Sequence, residues 1–350
     1  MLNISIQAPE VHLSKVSMKF KEEWNEFVHA TSGGSFFHLF DWLEITAEKT
    51  GYQLLPLMVK EKNEITGIAP FFLKKSAGIT LCVSPPSKMS TPWSGPLFKY
   101  RKDRPNKVQK ITAEIIEEIH KYLVDEEGAD YINITTIPKF KDVRPFKWLS
   151  YNTTPLYTYM VDIEESERTF SDFENKIKRE VKATEKSENI SYEGHDDRYF
   201  YHILDVVKNR YKEQWMNFPI SDDVIKKMLE TDLSKYLTTR SVITDKGIVT
   251  GLILIVYKNS MHHWIGATKP LQNYPGACSY LHWKVMKEFS EKGMKFYELM
   301  GGNTKHLIDQ KSRFNGELVP YYNSEWSNVK GRLVKGGMKL KTLYKDKIRK

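Results

Sequence analysis

The stretch that decides the fold begins with the apolar segment Met261-His-His-Trp-Ile-Gly-Ala-Thr268 and ends with Gly301-Gly302-Asn303. Between them lie the turn Asn273-Tyr-Pro-Gly-Ala-Cys278, an amphipathic segment over 279–292, and a second apolar segment, Met294-Lys-Phe-Tyr-Glu-Leu-Met300. Short apolar runs on either side of a Pro-Gly turn and a helical period predict a strand, a helix and a second strand. The order of these elements predicts a unit of mixed α/β structure.

The turn before the predicted helix has the features of an anion site. The first amides of a helix lack intrahelical partners and carry the positive end of the helix dipole, so small residues there let a phosphate approach. The run Gln272-Asn-Tyr-Pro-Gly-Ala277 resembles, one position out of register, the loop with which GNAT-superfamily acetyltransferases bind the pyrophosphate of acyl-CoA. The resemblance implies a donor site at Gln272, Tyr274, Gly276 and Ala277. An ordinary strand-to-helix turn is the alternative.

A longer series of motifs is similar to FemAB-like acyltransferases of the GNAT superfamily, including the branch associated with polysaccharide biosynthesis. The motifs stand in the family's order: Tyr274-Pro275-Gly276, Lys292-Gly293, Glu298, Gly301-Gly302 and Gln310-Lys311-Ser-Arg-Phe314-Asn315-Gly316. Three positions depart from the family pattern, because Glu298 replaces the commoner Asp, Gln310 replaces Phe, and Asn315 replaces the first Gly. The resemblance covers most of the chain and is strongest from about residue 248 onward.

This resemblance implies the catalytic groups. The family's Phe-Lys-x-x-Phe-Gly motif places its Lys in the transfer site, so Lys311 is the first candidate for the cation that polarises the transferring carbonyl. Glu298 is expected to act as a base or to orient the acceptor. The structural alternatives are a surface lysine on a loop and a strand-end acid that pairs with a neighbouring cation.

The resemblance also implies that the acceptor binds between two domains while the donor binds on the second. Trp93 would stack on a sugar ring, and Arg179 and Lys182 on one helix would bind a phosphate of a nucleotide-sugar or lipid-linked acceptor. The alternatives are a buried tryptophan and a solvated helix face. The predicted substrate-binding set is Trp93, Arg179, Lys182, Gly301, Gly302, Asn303 and Phe314.

Length and pattern predict two domains and a tail. A chain of 350 residues suits two domains of ordinary size, and both halves suggest a mixed sheet flanked by helices. The predicted fold class is α/β (α+β), with two tandem GNAT-like domains, each a mixed, largely antiparallel sheet flanked by helices. The predicted boundaries are 1–150 for the first domain, 151–328 for the donor-binding second domain, and 329–350 for a basic amphipathic tail.

The elements behind this prediction alternate along both halves. In the first half, helices are predicted at 17–30, 39–50 and 105–127, and strands at 54–60, 65–74, 78–83 and 131–134. In the second half, helices are predicted at 173–187, 199–215, 221–231 and 279–292, and strands at 239–244, 248–257, 261–268 and 294–300.

Charge, cysteine content and hydropathy indicate in which cellular compartment the protein is found. The net charge is +9, and the predicted tail over 329–350 alone holds nine Lys and Arg against one Asp. This tail is expected either to pack on the second domain through Leu340 and Leu343 or to contact anionic lipid or tRNA. Two cysteines, no apolar run long enough to span a bilayer and no leader pattern predict a cytoplasmic protein, with peripheral contact at the inner membrane face as one option.

The predicted function is transfer of an acyl or aminoacyl group from acyl-CoA or aminoacyl-tRNA to an amine or hydroxyl of a cell-envelope polysaccharide or peptidoglycan precursor. No heptad run appears between Phe173 and Lys258, which favours acyl-CoA because tRNA-using relatives carry a helical hairpin there. The histidines lack ligand spacing, so no metal is expected. A catalytically inactive binding module and a tRNA- or nucleic-acid-binding protein that uses its tail are the alternatives, and DNA is not expected as a partner.

Overall fold

The computed structural model describes residues 4–7, 17–61, 64–87, 89–99, 105–266 and 274–333. Its helices are α1 (Met18–Ala30), α2 (Phe40–Thr50), α3 (Pro105–Lys121), α4 (Arg144–Trp148), α5 (Ser166–Asp172), α6 (Asn175–Glu185), α7 (Asp197–Glu213), α8 (Asp222–Leu229), α9 (Ala277–Glu291) and α10 (Lys305–Ser312). Short 3-10 helices cover Phe36–His38 and Asp232–Tyr236, and a π-helical turn, Tyr122–Glu126, follows α3.

Its strands are β1 (Ile4–Gln7), β2 (Gln53–Glu61), β3 (Glu64–Ser76), β4 (Ile79–Ser84), β5 (Leu97–Phe98), β6 (Tyr131–Thr135), β7 (Asn152–Asp162), β8 (Ser191–Glu193), β9 (Leu237–Thr244), β10 (Gly247–Tyr257), β11 (Ser260–Gly266), β12 (Phe296–Glu298) and β13 (Glu317–Ser327). The chain forms two compact units, residues 1–155 together with 321–350, and residues 156–320.

The first unit is built on a mostly antiparallel sheet. Its strands lie in the order β1-β2-β3-β4-β6, the second half of β13 pairs with β6, and β5 pairs with β3. Only the β4–β6 pair is parallel among the pairs of this unit in the described residues. Apolar residues of α3, among them Ile115, Ile116 and Ile119, pack with strand residues such as Leu57 and Phe71 to form the core.

The second unit has the strand order β7-β12-β11-β10-β9-β8. The β11–β12 pair is parallel, and the other pairs between these neighbours are antiparallel. Apolar residues of α6 and α9, among them Val181, Leu281 and Val285, bury one face of this sheet. Helix α7 contacts β10 at Gly251, where an added Cβ would lie 2.6 Å from Ile203 Cδ1. The α9–sheet core therefore fixes the strands that carry the candidate catalytic residues.

The predicted fold class is confirmed, since both units are mixed, largely antiparallel sheets flanked by helices. Strand β7 was missed, because Pro155 and the two threonines before it indicated a break in periodic structure. The helix predicted over 173–187 is confirmed as α6 (Asn175–Glu185). A further short helix, α5, precedes it and ends at Phe173, which has extended backbone (φ −63°, ψ 149°). Lys311 lies on a helix, α10, and is buried, so the alternative of a surface lysine on a loop is wrong.

Among the described residues, no helix is long and apolar enough to cross a membrane. Of the predicted tail, only 329–333 are described, so Leu340 and Leu343 lie outside the described residues. The described start of the tail is anchored to the first unit. Asn328 Nδ2 donates to Asp130 Oδ1 at 2.8 Å, and Gly331 N donates to Asn328 Oδ1 at 3.0 Å.

Candidate active site

The sheet of the second unit opens between β11 and β12. Their parallel ladder pairs Ser260 with Phe296 and Met261 with Tyr297, and it ends where His262 pairs with Glu298. Strand β11 continues to Gly266, whereas the chain after β12 turns towards β7. A sheet that separates in this way leaves the end of one strand beside an opening rather than a neighbour. The opening begins at His262 and Glu298.

Glu298 and His262 form a buried pair at this opening. Glu298 is fully buried, and its Oε1 accepts a hydrogen bond from Thr158 Oγ1 at 2.6 Å. Its Oε2 lies 2.7 Å from His262 Nδ1. When the neutral imidazole donates from Nδ1, its lone pair is on Nε2. A carboxylate that orients an imidazole in this way is the arrangement of a general base and its positioning residue.

Lys311 lies beside the same strand end. Its Nζ donates to Leu299 O at 2.6 Å and to Met300 O at 2.9 Å, and the residue is 8% exposed. Burial lowers the pKa of Lys311 to about 8, against the opposing effect of the Glu298 charge. An ammonium has three protons, so these two bonds leave a third donor. Lys311 therefore holds the strand end and retains one N–H that could meet a developing negative charge.

Each residue of the loop Gly301-Gly302-Asn303 has a structural role. Gly301 has φ +60°, and an added Cβ would lie 2.8 Å from Lys311 Nζ. An added Cβ at Gly302 would lie 2.5 Å from Tyr157 O. Asn303 accepts from Tyr157 N at 2.8 Å and donates to Tyr157 O at 3.1 Å, as a neighbouring strand would. The loop is thus fixed on β7 next to Lys311, and its predicted contacts with substrate stay predictions.

A second polar group is buried on the α9 side of the sheet. His282 Nδ1 lies 3.0 Å from Tyr297 Oη, and the His282 ring lies 5.2 Å from the rings of both His263 and Phe314. Burial, with the charge of Lys311, lowers the pKa of His282 to about 3 and that of His263 well below its usual value. Both imidazoles are therefore neutral near pH 7. Phe314 is a core side chain here, and its predicted contact with substrate stays a prediction.

These histidines predict a loss of stability in acid. The folded protein keeps the His282 imidazole neutral while the unfolded chain protonates it below about pH 6.5, so the unfolded state binds more protons as the pH falls towards 3. Between about pH 6.5 and 3, the free energy of unfolding should fall less steeply with decreasing pH in His282→Gln than in the wild type. The difference in slope should be up to about 1.4 kcal/mol per pH unit. Urea denaturation at several pH values measures this slope. An unchanged slope would contradict the prediction, and exposed His202 provides the matched control, His202→Gln.

The predicted donor turn lies at the start of α9. Gly276 is the N-cap with φ +94°, and an added Cβ would lie 2.9 Å from Thr184 Oγ1 and 3.0 Å from Glu180 O. Ala277 is buried, and its N–H donates to Tyr274 O at 3.2 Å. Gln272 lies outside the described residues. The conformation of the turn therefore requires glycine at position 276 whether or not a donor binds there.

A carboxylate already lies near this helix start. Glu180 Oε2 accepts from Ser279 Oγ at 2.5 Å. Its negative charge would oppose an anionic donor group at the same helix terminus. A donor role for Tyr274, Gly276 and Ala277 stays a prediction.

The remaining predicted residues are not brought to the opening by any described contact. Arg179 and Lys182 are exposed on α6, where Arg179 Nε donates to Asn175 O at 3.3 Å. Trp93, in the first unit, is 2% exposed, with its ring 6.1 Å from that of Phe37 and 5.3 Å from that of Tyr321. A ring buried among other rings has no face for a sugar, so the burial of Trp93 does not support the predicted stacking. Among the described residues, no three His, Cys, Asp or Glu side chains form a group that could hold a metal.

Comparisons with known proteins identify the class. Residues 171–306 match the family model described as Acetyltransferase (GNAT) domain, and no curated protein matches the chain. A crystal structure of FemX is similar, with a TM-score of 0.65 at 13% identity over 91% of this chain and 96% of that one. The C-terminal domain of a putative lysylphosphatidylglycerol synthetase from Agrobacterium fabrum has a TM-score of 0.54 at 11% identity, over 90% and 94%. A tandem GNAT protein from the clavulanic acid biosynthesis pathway has a TM-score of 0.52 at 8% identity, over 93% and 98%.

Residues 171–306 therefore form an acyltransferase domain of the GNAT type, and the chain is similar in fold to FemX and to a tandem GNAT protein. The predicted resemblance to FemAB-like acyltransferases of the GNAT superfamily is confirmed, because residues 171–306 match the GNAT domain and the fold is similar to that of FemX.

Proposed function

We propose that this acyltransferase moves an acyl or aminoacyl group from acyl-CoA or aminoacyl-tRNA onto an amine or hydroxyl of a cell-envelope polysaccharide or peptidoglycan precursor. The observation that carries the proposal is the group at the end of β12, where Lys311 holds the carbonyls of Leu299 and Met300 and Glu298 orients His262. Two of the similar structures support a cell-envelope acceptor, since one is FemX and the other is the C-terminal domain of a putative lysylphosphatidylglycerol synthetase.

The group supplies what acyl transfer needs. The acceptor nitrogen or oxygen attacks the donor carbonyl, and a C–N or C–O bond forms as the donor's C–S or C–O bond breaks. The third N–H of Lys311 would stabilise the oxyanion of the tetrahedral intermediate. His262, oriented by Glu298, would accept the proton of the attacking group and return it to the leaving thiolate or alkoxide. Glu298 itself has both oxygens in hydrogen bonds, so its proposed role is to position His262.

The proposal is tested with purified full-length protein, acetyl-CoA or lysyl-tRNA as donor, and UDP-linked and lipid-linked aminosugars as acceptors. Mass spectrometry of the acceptor should show the added acyl group, and His262→Gln should lower kcat by about 10². Exposed His202→Gln is the control and should leave kcat unchanged. Donor binding without product would instead favour a binding module, and equal kcat in the two variants would remove His262 from the chemistry.

We further propose that the protein is cytoplasmic and that the basic segment 329–350 holds it at the inner membrane face, through about 1 kcal/mol per Lys or Arg. Deletion of 334–350 leaves every described residue in place. The deletion should abolish sedimentation with phosphatidylglycerol vesicles at low salt and retain activity on a soluble acceptor. Binding to tRNA that is lost on the same deletion, without any vesicle binding, would favour the nucleic-acid alternative.

A further inference from the structure

The opening between β11 and β12 has a second histidine at its edge, His263, which the proposed transfer chemistry has not used. The last pair of the parallel ladder is His262 with Glu298. Continued by one residue, the same register would place His263 opposite Leu299, but Leu299 N donates instead to Tyr159 O at 2.9 Å. His263 is therefore the first residue of β11 that lies beyond the ladder with β12.

The imidazole of His263 is buried and incompletely hydrogen-bonded. The residue is 7% exposed, and its Nδ1 is buried without a hydrogen-bond partner among the described residues. A buried polar atom without a partner costs free energy, and folded proteins seldom keep one unless a ligand, a water or an ion satisfies it. An apolar side chain at this position would avoid that cost. The presence of the nitrogen therefore indicates a ligand-binding role.

The backbone around His263 makes room for its ring. The register between β10 and β11 shifts between Ile253 and Leu254, directly after the pair of Leu254 with His263. Residues three apart in a regular strand face opposite sides, whereas this bulge places Gly266 under the ring. An added Cβ at Gly266 would lie 2.1 Å from His263 Nε2, so only glycine permits this position of the ring. Bulges of this kind often lie next to active sites, where they redirect a side chain.

Lys311 lies across the opening from His263. Its Nζ donates to the carbonyls of Leu299 and Met300, the first two residues after the ladder ends. Leu299 is also the residue that the register would place opposite His263. Burial lowers the pKa of the His263 imidazole well below its usual value, and the charges of His282 and Lys311 lower it further. A neutral imidazole and an ammonium therefore border the same end of the opening near pH 7.

The two histidines of β11 lie on opposite faces of the sheet, because successive side chains of a strand alternate. His262 is on the face of Glu298, its partner in the buried pair. His263 is on the face covered by α9, where its ring lies 5.2 Å from that of His282. Acyl transfer needs a proton acceptor for the attacking atom and separate donors for the carbonyl oxygen. The two faces of the opening provide this separation.

We propose that His263 donates a hydrogen bond from Nδ1 to the oxygen of the transferring carbonyl, together with the third N–H of Lys311. As the acceptor attacks, the π electrons of the C=O bond move to this oxygen, and they return when the donor's C–S or C–O bond breaks. His263 keeps its proton throughout, because a neutral imidazole can polarise a carbonyl as a hydrogen-bond donor. The inference rests on the proposed acyl transfer and deepens it, since it names a second donor to the oxyanion.

The test compares two variants of nearly equal shape in the full-length protein, with the donor and acceptor that give product with the wild type. His263→Leu removes the N–H and should lower kcat by about 10², the usual cost of losing one oxyanion donor. His263→Asn replaces Nδ1–H with an amide N–H, so kcat should stay within about tenfold of the wild type.

His282 is the matched control, because it is equally buried but its Nδ1 already has Tyr297 Oη as a partner at 3.0 Å. His282→Asn removes no donor to the oxyanion and should lower kcat by less than about fivefold.

Thermal unfolding of the same samples gives a measurement that does not depend on turnover. Because Nδ1 of His263 has no partner among the described residues, His263→Leu should unfold at a temperature no lower than that of the wild type. His282→Leu should unfold at a lower temperature, because it leaves Tyr297 Oη without its partner. If His263→Leu does not fold, His263→Phe keeps a ring without its nitrogens, and the same two expectations apply to it.

Three results would overturn the assignment of His263: unchanged kcat in the variant that lacks the nitrogen, equal losses of kcat in His263→Leu and His263→Asn, or a lower unfolding temperature of the folded variant. An absence of transfer by the wild type would instead refute the proposed function. The two failures are therefore distinguishable.

Discussion

Lys311→Met is expected to lower turnover by a factor of about 10² to 10³, the usual cost of losing one donor to an oxyanion. The variant removes the third N–H of the ammonium, together with the hydrogen bonds to Leu299 O and Met300 O. Two carbonyls lose their donor, but a buried positive charge is removed as well, so the two effects on folding partly offset. Steady-state kinetics with thermal unfolding of the same samples separates a chemical loss from a structural one. Wild-type turnover in the variant would exclude Lys311 from the mechanism.

The pH profile gives a second test of the same residue. If the charged form of Lys311 is required, the rate should fall as the pH rises through about 8. Lys311→Arg keeps a positive charge that does not titrate in this range. The rate of any activity that remains in this variant should therefore no longer decrease as the pH rises through about 8. Lys258 is the matched control, because burial also lowers its pKa to about 8, and Lys258→Met should leave the profile unchanged. A fall that persists in Lys311→Arg would assign it to another group.

The stability of the protein should change in the opposite direction over this range. Between about pH 8 and 10.5 the unfolded chain protonates Lys311 more fully than the folded protein does, so the free energy of unfolding should rise with pH. Lys311→Met should remove that part of the rise. Chemical denaturation at pH 8 and at pH 10 measures it.

Gly276→Val is expected to destabilise the second unit by about 3 kcal/mol. A side chain at φ +94° is strained, and its Cβ would also press on Thr184 Oγ1 and Glu180 O. Gly247 is the matched control, since it has φ +106° with nothing within 4 Å of an added Cβ. Gly247→Val should therefore show the cost of backbone strain alone. Equal losses of unfolding free energy in the two variants would contradict the predicted crowding at Gly276.

Donor binding at this turn is better tested by Glu180→Gln, which keeps the shape of the side chain. If a donor phosphate binds at the start of α9, removal of this carboxylate should strengthen coenzyme A binding about fivefold, because a like charge is lost near the anion. Calorimetry measures the change, with Glu185→Gln, an exposed position on the same helix, as the control. Unchanged affinity would leave Gly276 with its conformational role only.

The sequence predicted the fold class, and a resemblance in short motifs implied Lys311 and Glu298 as catalytic candidates, because both kinds of signal are local. Lys311 stands in a short motif, and Glu298 ends an apolar run that reads as a strand. His262 was not among the predicted catalytic residues, because its pairing with Glu298 depends on the parallel register of β11 and β12 across 36 positions of sequence. The carboxylate of Glu180 near the donor turn could not be predicted either, because it reaches Ser279 from a helix 99 positions earlier.

The strand pairing of the first unit has a consequence for the order of folding during synthesis. The second unit consists of one continuous segment, residues 156–320. In the first unit, β6 (131–135) pairs with residues 323–327 of β13, which are synthesised after the whole second unit. A ribosome that adds residues one at a time therefore finishes the second unit before it releases the strand that covers the edge of β6. Until then that edge offers unpaired N–H and C=O groups to other chains. Nascent protein is thus most exposed to edge-to-edge association late in translation, after its transferase domain is complete.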